Sequence, residues 1–196
     1  MAKNPTHYHG DLEADLKRAA LAAVVAEGPA AVSLRSLARE LGVSHAAPKN
    51  HFTDKAALFA ALAVDGFNGL SDALGRVIRD ADDWSLLEAG VAYVAFALEH
   101  PGHFAVMWQT ELYRDDPEVA AARHRSYLTL VGLVAIARPE SSVDSANRAW
   151  AQAHGWAALL LSGSLTVPPG TEVLDYVREQ LTVTHRRLLE SSGAAD

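Results

Sequence analysis

The sequence contains no cysteine. That excludes disulfides, thiolate metal sites and thiol nucleophiles, and it leaves the redox compartment open. Residues that favour strands are scarce: Val, Ile and Thr total 27 of 196 residues, whereas 37 Ala and 25 Leu make up about a third of the chain. Both abundant types are strong helix formers, so an all-α fold is expected. Positive charge is also short, with 17 Lys and Arg against 24 Asp and Glu and a net charge of -7. This balance argues against a protein that coats nucleic acid without selectivity. The first residues, MAKNPTHYHGDLEADLK, lack the apolar core of an export signal. No run of about 20 apolar residues is present. The longest uncharged stretch, Ala149 to Thr171, is interrupted by polar residues and by Pro168-Pro169-Gly170. A soluble, cytoplasmic protein without a membrane partner is therefore expected. There is no Gly-rich phosphate loop and no G-x-S-x-G, so no enzyme is expected. The pairs His100/His103 and His7/His9 have no carboxylate at ligand spacing, so neither metal nor cofactor is expected.

What is present is unevenly distributed. Residues 1–55 hold seven basic and six acidic side chains and four of the nine His; residues 56–196 hold ten basic and eighteen acidic. A near-neutral head thus precedes an acidic body, and only the head suits an anionic partner. The expected boundaries are a head of residues 1–55, opening with a flexible arm over residues 1–9, and a helical body of residues 56–196.

Helical periodicity continues through most of the chain, and about nine helices are expected. Asp11 caps a first helix that runs to Glu27, with Leu12, Leu16, Ala19, Ala20, Ala23 and Val24 on one face, and Gly28-Pro29 ends it. Ser33 caps a second, which Gly42 stops. Ser44 caps a third, reaching Phe52, and Asp54 caps a long fourth. Further helices are expected over Trp84–Glu99, His103–Leu112, Pro117–Arg138, Val143–Leu165 and Glu172–Leu189, with a frayed tail.

The stretch SLRSLARELGVSHAAPKNHFTDK, Ser33 to Lys55, carries the functional signal. Leu34, Leu37, Ala38 and Leu41 bury one face of a supporting helix. Gly42 permits a sharp turn, Val43 fills the angle, and Ser44 opens a short helix. The first turn of that short helix, His45 and Ala46, is small or polar, and it ends on Lys49, Asn50 and His51 with Phe52 as an inward anchor. This is the physics of a helix-turn-helix, in which small residues let the backbone approach a major groove. The same spacing also builds a plain corner of a helical bundle, and the pattern alone leaves both readings open.

The segment SLRSLARELGVSHAAPKNHFTDKAALFAAL resembles the DNA-binding domain of TetR-family transcriptional regulators. Gly42-Val43-Ser44, His51-Phe52 and Lys55 carry the likeness. His7 to Leu12, HPGHFAVMW (His100–Trp108) and WAQAHGW (Trp150–Trp156) resemble one branch of that family, whose effector domain is named for a Trp-His-Gly pattern. The resemblance implies that Ser33, Lys49, His51 and Lys55 touch phosphates. It places Ser44 at the start of the recognition helix, His45, Ala46 and Asn50 against base edges, and Arg35 near a base or phosphate. The sequence departs from the family at Lys49, where a Tyr is usual, and at Pro48, which removes one helical bond near the helix start.

The resemblance further implies an effector pocket among the middle helices, with Phe67, Tyr93, Phe96, Phe104, Trp108 and Tyr127 as candidate lining and an apolar small molecule as ligand. It implies a homodimer as well, formed when the last two long helices pair with their copies, so that two recognition helices read a palindromic operator in double-stranded DNA. The apolar stretch Ala149–Leu165 exceeds what one helix face buries internally, which supports the dimer. His154 is expected to be a buried, hydrogen-bonded residue, and Gly155 to admit a neighbouring helix. The function so implied is a ligand-responsive repressor. Two rivals stay open from the residues alone: a helical adaptor that binds a protein through HAAPKNHF, and a small helical enzyme using His100, His103 and Asp115 or Glu111.

Overall fold

The computed structural model describes residues 11–78, 85–113, 115–137 and 143–192. The expected arm over residues 1–9, Trp84, the Arg138 helix end and the last four residues of the chain lie outside these. Among the described residues the fold is all-α. Its helices are α1 (Leu12–Glu27), α2 (Leu34–Glu40), α3 (Lys55–Ile78), α4 (Ser85–Glu99), α5 (Pro101–Met107), α6 (Pro117–Ala137), α7 (Val143–Leu161) and α8 (Val173–Ser192). Short 3₁₀ segments span Pro29–Ala31, Ala47–Asn50 and Thr110–Leu112.

The chain forms two compact units. One comprises Met1–Gly66 with Pro101–Ala121, the other Phe67–His100 with Ala122–Asp196. In the first unit, Leu16, Ala19, Ala20 and Val24 of α1 are buried, on the expected face, together with Leu37, Ala38, Phe52, Leu58, Phe59 and Leu62. Gly102 of α5 meets α1 so closely that a Cβ there would stand 3.0 Å from the carbonyl oxygen of Leu21. In the second unit, α4 packs on α7 and α8. Arg178 of α8 donates from Nε and Nη2 to the Glu88 carboxylate of α4 at 2.9 and 3.2 Å.

Several helix ends differ from expectation. Pro101 begins α5 instead of merely ending α4, because a proline costs nothing at the first helical position, where its missing N–H has no partner anyway. The expected helix to Leu112 divides into α5 and a 3₁₀ turn. The helix expected to reach Leu165 stops at Leu161: Gly163 takes φ +69°, and the Leu165 N–H folds back to the carbonyl of Leu159 at 3.1 Å. By length and composition α3 is also apolar enough to cross a membrane, in contrast to the expectation of no such run. Most of its apolar residues from Leu58 to Leu74, among them Leu58, Phe59, Leu62, Phe67, Leu70 and Leu74, are buried in the fold, as in the core helix of a globular protein.

Candidate nucleic-acid interface

Three local devices shape the segment between α1 and α3. Ser33 and Ser36 cap α2 reciprocally: Ser33 Oγ accepts the Ser36 N–H at 3.0 Å, and Ser36 Oγ accepts the Ser33 N–H at 3.2 Å. At the other end Gly42 adopts φ +68°. Its N–H bonds to the carbonyl of Arg39 at 3.3 Å, and the Val43 N–H reaches back to Ala38 at 3.0 Å. Paired bonds of this kind close a Schellman motif, which needs a left-handed residue and so favours glycine. Asp54 then opens α3, its Oδ1 accepting the Ala57 N–H at 2.9 Å.

The helix expected from Ser44 to Phe52 is not α-helical. The Ser44 carbonyl accepts the Ala47 N–H at 3.0 Å, and the Ala46 carbonyl accepts the Lys49 N–H at 3.1 Å. Residues 47–50 form a 3₁₀ turn, and the Pro48 carbonyl accepts both the His51 and Phe52 N–H groups, at 3.1 and 2.9 Å. The cause is Pro48. An α-helix would need its N–H on the Ser44 carbonyl, and the ring clashes with that same carbonyl, so the chain tightens to three-residue spacing. Pro48 is buried, while Ser44, His45, Ala46, Lys49, Asn50 and His51 are exposed.

Charge separates the cations of this unit into two groups. Lys17 stands 3.1 Å from Asp65 and 3.3 Å from Glu13. Burial alone would lower its pKa, but the two carboxylates outweigh that and raise it. Arg18 bonds to Asp15 at 2.6 Å. Lys55 donates to the carbonyls of Pro29 and Ala30 at 2.7 and 3.3 Å, with Nζ 5.2 Å from the centre of the Phe59 ring. Arg35, Arg39 and Lys49, by contrast, are exposed and have no carboxylate at ion-pair distance among the described residues. All three lie on α2 and the following 3₁₀ segment. His51 Nδ1 is 3.9 Å from Glu13 Oε2, which gives a protonated His51 a nearby counter-charge.

The second unit holds a polar thread in an aromatic setting. Trp150 Nε1 donates to Tyr93 Oη at 3.3 Å, and that oxygen lies 3.0 Å from His154 Nδ1, which accepts the tyrosine proton in the tautomer that carries its hydrogen on Nε2. Burial raises the pKa of Tyr93 and lowers that of His154, so both stay uncharged near neutral pH. Tyr127 Oη donates to Asn147 Oδ1 at 3.0 Å, and its ring meets Trp150 edge-on at 6.3 Å. Phe67 and Phe96 are buried in this unit. Phe104 and Trp108 belong to the first unit, where their rings meet edge-on at 5.8 Å.

Residues 16–62 match the family described as "Bacterial regulatory proteins, tetR family". Residues 86–183 match "Tetracyclin repressor-like, C-terminal domain". The chain belongs to the TetR family of transcriptional regulators. TetR-family proteins are DNA-binding regulators of the cytoplasm and not enzymes, which sets aside the helical enzyme built on His100, His103, Asp115 or Glu111. Among relatives, the uncharacterised HTH-type transcriptional regulator Rv0681 of Mycobacterium tuberculosis is 28% identical over 141 residues. That alignment takes in 70% of this chain and 64% of the relative, so the chain spans less than two thirds of its length. A solved structure of a protein of unknown function from Rhodococcus sp. RHA1 is 33% identical, with a TM-score of 0.77 over 93% of this chain and 98% of that one. A protein of Saccharomonospora viridis, crystallised in complex with choline, shares the TetR fold at 22% identity and a TM-score of 0.63, covering 87% and 93% of the two chains.

In the TetR head, Ser44, His45, Ala46, Lys49, Asn50 and His51 are exposed on the segment after Gly42, and Arg35 is exposed on α2. Ser33 stands at its edge with its hydroxyl proton directed to Ser36 Oγ at 2.9 Å. Lys55 is turned to backbone carbonyls. Arg39 joins the site residues expected from the sequence, and its spacing of four from Arg35 places both on one face of α2. Tyr93, Trp150 and His154 also meet, which no single sequence pattern indicates. Their i, i+4 spacing on α7 pairs Trp150 with His154, but the tyrosine lies 57 residues before Trp150 and has no local signature.

Proposed function

We propose that this TetR-family protein is a ligand-responsive repressor that binds a palindromic operator as a homodimer. One observation carries the DNA-binding part. In an acidic chain, three exposed cations without carboxylate partners among the described residues, Arg35, Arg39 and Lys49, lie together on α2 and the following 3₁₀ segment. Positive charge left free there favours phosphate, and His45, Ala46 and Asn50 are the side chains offered to base edges. His51 flanks them as a phosphate contact, and Ser33 joins it when its hydroxyl turns from Ser36 Oγ to a phosphate oxygen. Lys55 acts mainly by holding the Pro29–Ala31 turn.

A single short recognition element covers few base pairs, so two copies about one helical turn apart supply the specificity. The exposed apolar residues Val143, Leu159 and Leu161 of α7 and Val183 of α8 support pairing of these helices with their copies. The effector role falls to the second unit, with Phe67, Tyr93, Phe96 and Tyr127 around the Tyr93–His154 thread, and an apolar small molecule is its ligand. The choline bound to the relative of similar fold supports a small-molecule ligand for this architecture. Effector binding favours a dimer conformation whose recognition elements no longer match the half-site spacing.

Selection of bound fragments from genomic DNA tests this reading. The expected result is a palindrome bound with steep salt dependence. Absence of duplex binding at low salt contradicts it.

A further inference from the structure

We propose that Pro48 is a specificity-determining positioning residue: by enforcing three-residue spacing on the recognition segment, it decides which exposed side chains approach DNA together. The inference rests on the DNA-binding reading above and deepens it. In an α-helix a residue advances about 100°, so residues four apart lie within about 40° of one another. His45 would then share a face with Lys49, and Ala46 with Asn50. In the observed segment each residue advances about 120°, so residues three apart eclipse and residues four apart diverge by about 120°. Carried through the Ser44–Ala47 turn and the 3₁₀ segment after it, this spacing aligns Lys49 with Ala46 and Asn50 with Ala47 and directs His45 away from Lys49. The bonds Ala47 N–H to Ser44 and Lys49 N–H to Ala46 carry this spacing, and burial of Pro48 fixes the opposite side of the segment inward. The long cation therefore stands beside a methyl group instead of an imidazole, and the His45 and Lys49 side chains meet different parts of a groove.

Two measurements on the full chain test this. In wild-type protein, nuclear Overhauser contacts across residues 44–50 should follow the i, i+2 Hα–HN pattern of a 3₁₀ turn. In Pro48→Ala, which restores the N–H, an i, i+4 contact from Ser44 to position 48 should appear. Selection from a random duplex library should give the two proteins different preferred bases at the half-site positions under the segment. Discrimination at those positions should change by about tenfold, the size of one base contact. Affinity for random DNA should stay within about threefold and the salt slope should not change, since no phosphate-binding cation is removed. If Pro48→Ala does not fold, the wild-type contacts still decide the geometry. A His45→Ala, Lys49→Ala cycle then decides its consequence: the two losses of operator affinity should multiply, as for side chains that do not touch. Wild-type i, i+4 contacts, strong coupling in that cycle, or one preferred sequence for both proteins overturns the proposal while leaving DNA binding intact. Wild-type protein that binds no duplex overturns the DNA-binding reading and this proposal together.

Discussion

The ammonium of Lys55 lies 2.7 Å from the carbonyl oxygen of Pro29, joining the first turn of α3 to the turn that follows α1. A second carbonyl, that of Ala30, stands at 3.3 Å. Charged hydrogen bonds of this kind stabilise the fold, so Lys55→Met should lower unfolding free energy by about 1–2 kcal/mol, and Lys55→Arg should restore part of it. Denaturant titration measures the loss. The salt slope of DNA binding should not move; a slope reduced by one for each half-site would make Lys55 a phosphate contact instead.

Lys49 has the opposite character, exposed and without a carboxylate partner among the described residues. Lys49→Ala should weaken operator and random DNA by similar factors and lower the salt slope by about one for each half-site. Replacing His45 or Asn50 by Ala should cost the operator about 1–3 kcal/mol more than random DNA. Fluorescence anisotropy with both duplexes across a salt series checks the three variants. Loss confined to the operator with an unchanged slope would make Lys49 a base reader.

Much of the head was legible in the sequence because its signals are local. Asp11, Ser33 and Asp54 cap the helices they precede, and Gly42 supplies the left-handed turn that its place after Leu41 implies. Pro48 was visible too, but its effect was misjudged as a tolerable loss near a helix start. One missing N–H together with the ring's clash at the Ser44 carbonyl is enough to convert so short a segment. The Lys55–Pro29, Lys17–Asp65 and Tyr93–His154 contacts join residues 26, 48 and 61 apart, where no periodicity reaches. The helix ends at Pro101 and Leu161 were misplaced because a proline marks a start as readily as a stop, and because Gly163 ends α7 before the prolines do.

Gly155 bears on assembly. A Cβ built there meets nothing within 4 Å in the described chain. Gly155→Ala should therefore raise the intrinsic stability of α7 by about 0.5–1 kcal/mol. Gly155→Arg should leave the fold intact and weaken the dimer, if a second copy of α7 packs at this face. Sedimentation velocity over a concentration series checks it. An unaltered dimer in Gly155→Arg moves the interface elsewhere on the molecule.

His154 should make stability depend on pH. Burial holds its folded-state pKa below the ordinary 6.5, so the unfolded chain binds the proton more readily. The contribution of neutral His154 is fully present above pH 6.5 and is lost as pH falls below that value toward the depressed folded pKa. In the doubly protonated ring Nδ1 can only donate, so the Tyr93 hydroxyl must then accept from it. His154→Gln should narrow the difference in melting temperature between pH 7.5 and pH 5.5, measured by differential scanning calorimetry. An unchanged difference assigns the acid sensitivity to other groups.

The most direct test of the account removes the three free cations together. Binding of the selected palindrome is followed across a salt series for wild type and for the triple variant Arg35→Ala, Arg39→Ala, Lys49→Ala. A steep wild-type salt dependence is expected, flattening by about three units for each half-site in the variant, with the melting temperature preserved because none of the three has a carboxylate partner among the described residues. A variant that binds the palindrome with wild-type affinity and slope would contradict the assignment of α2 and the Ala47–Asn50 segment as the DNA-binding surface.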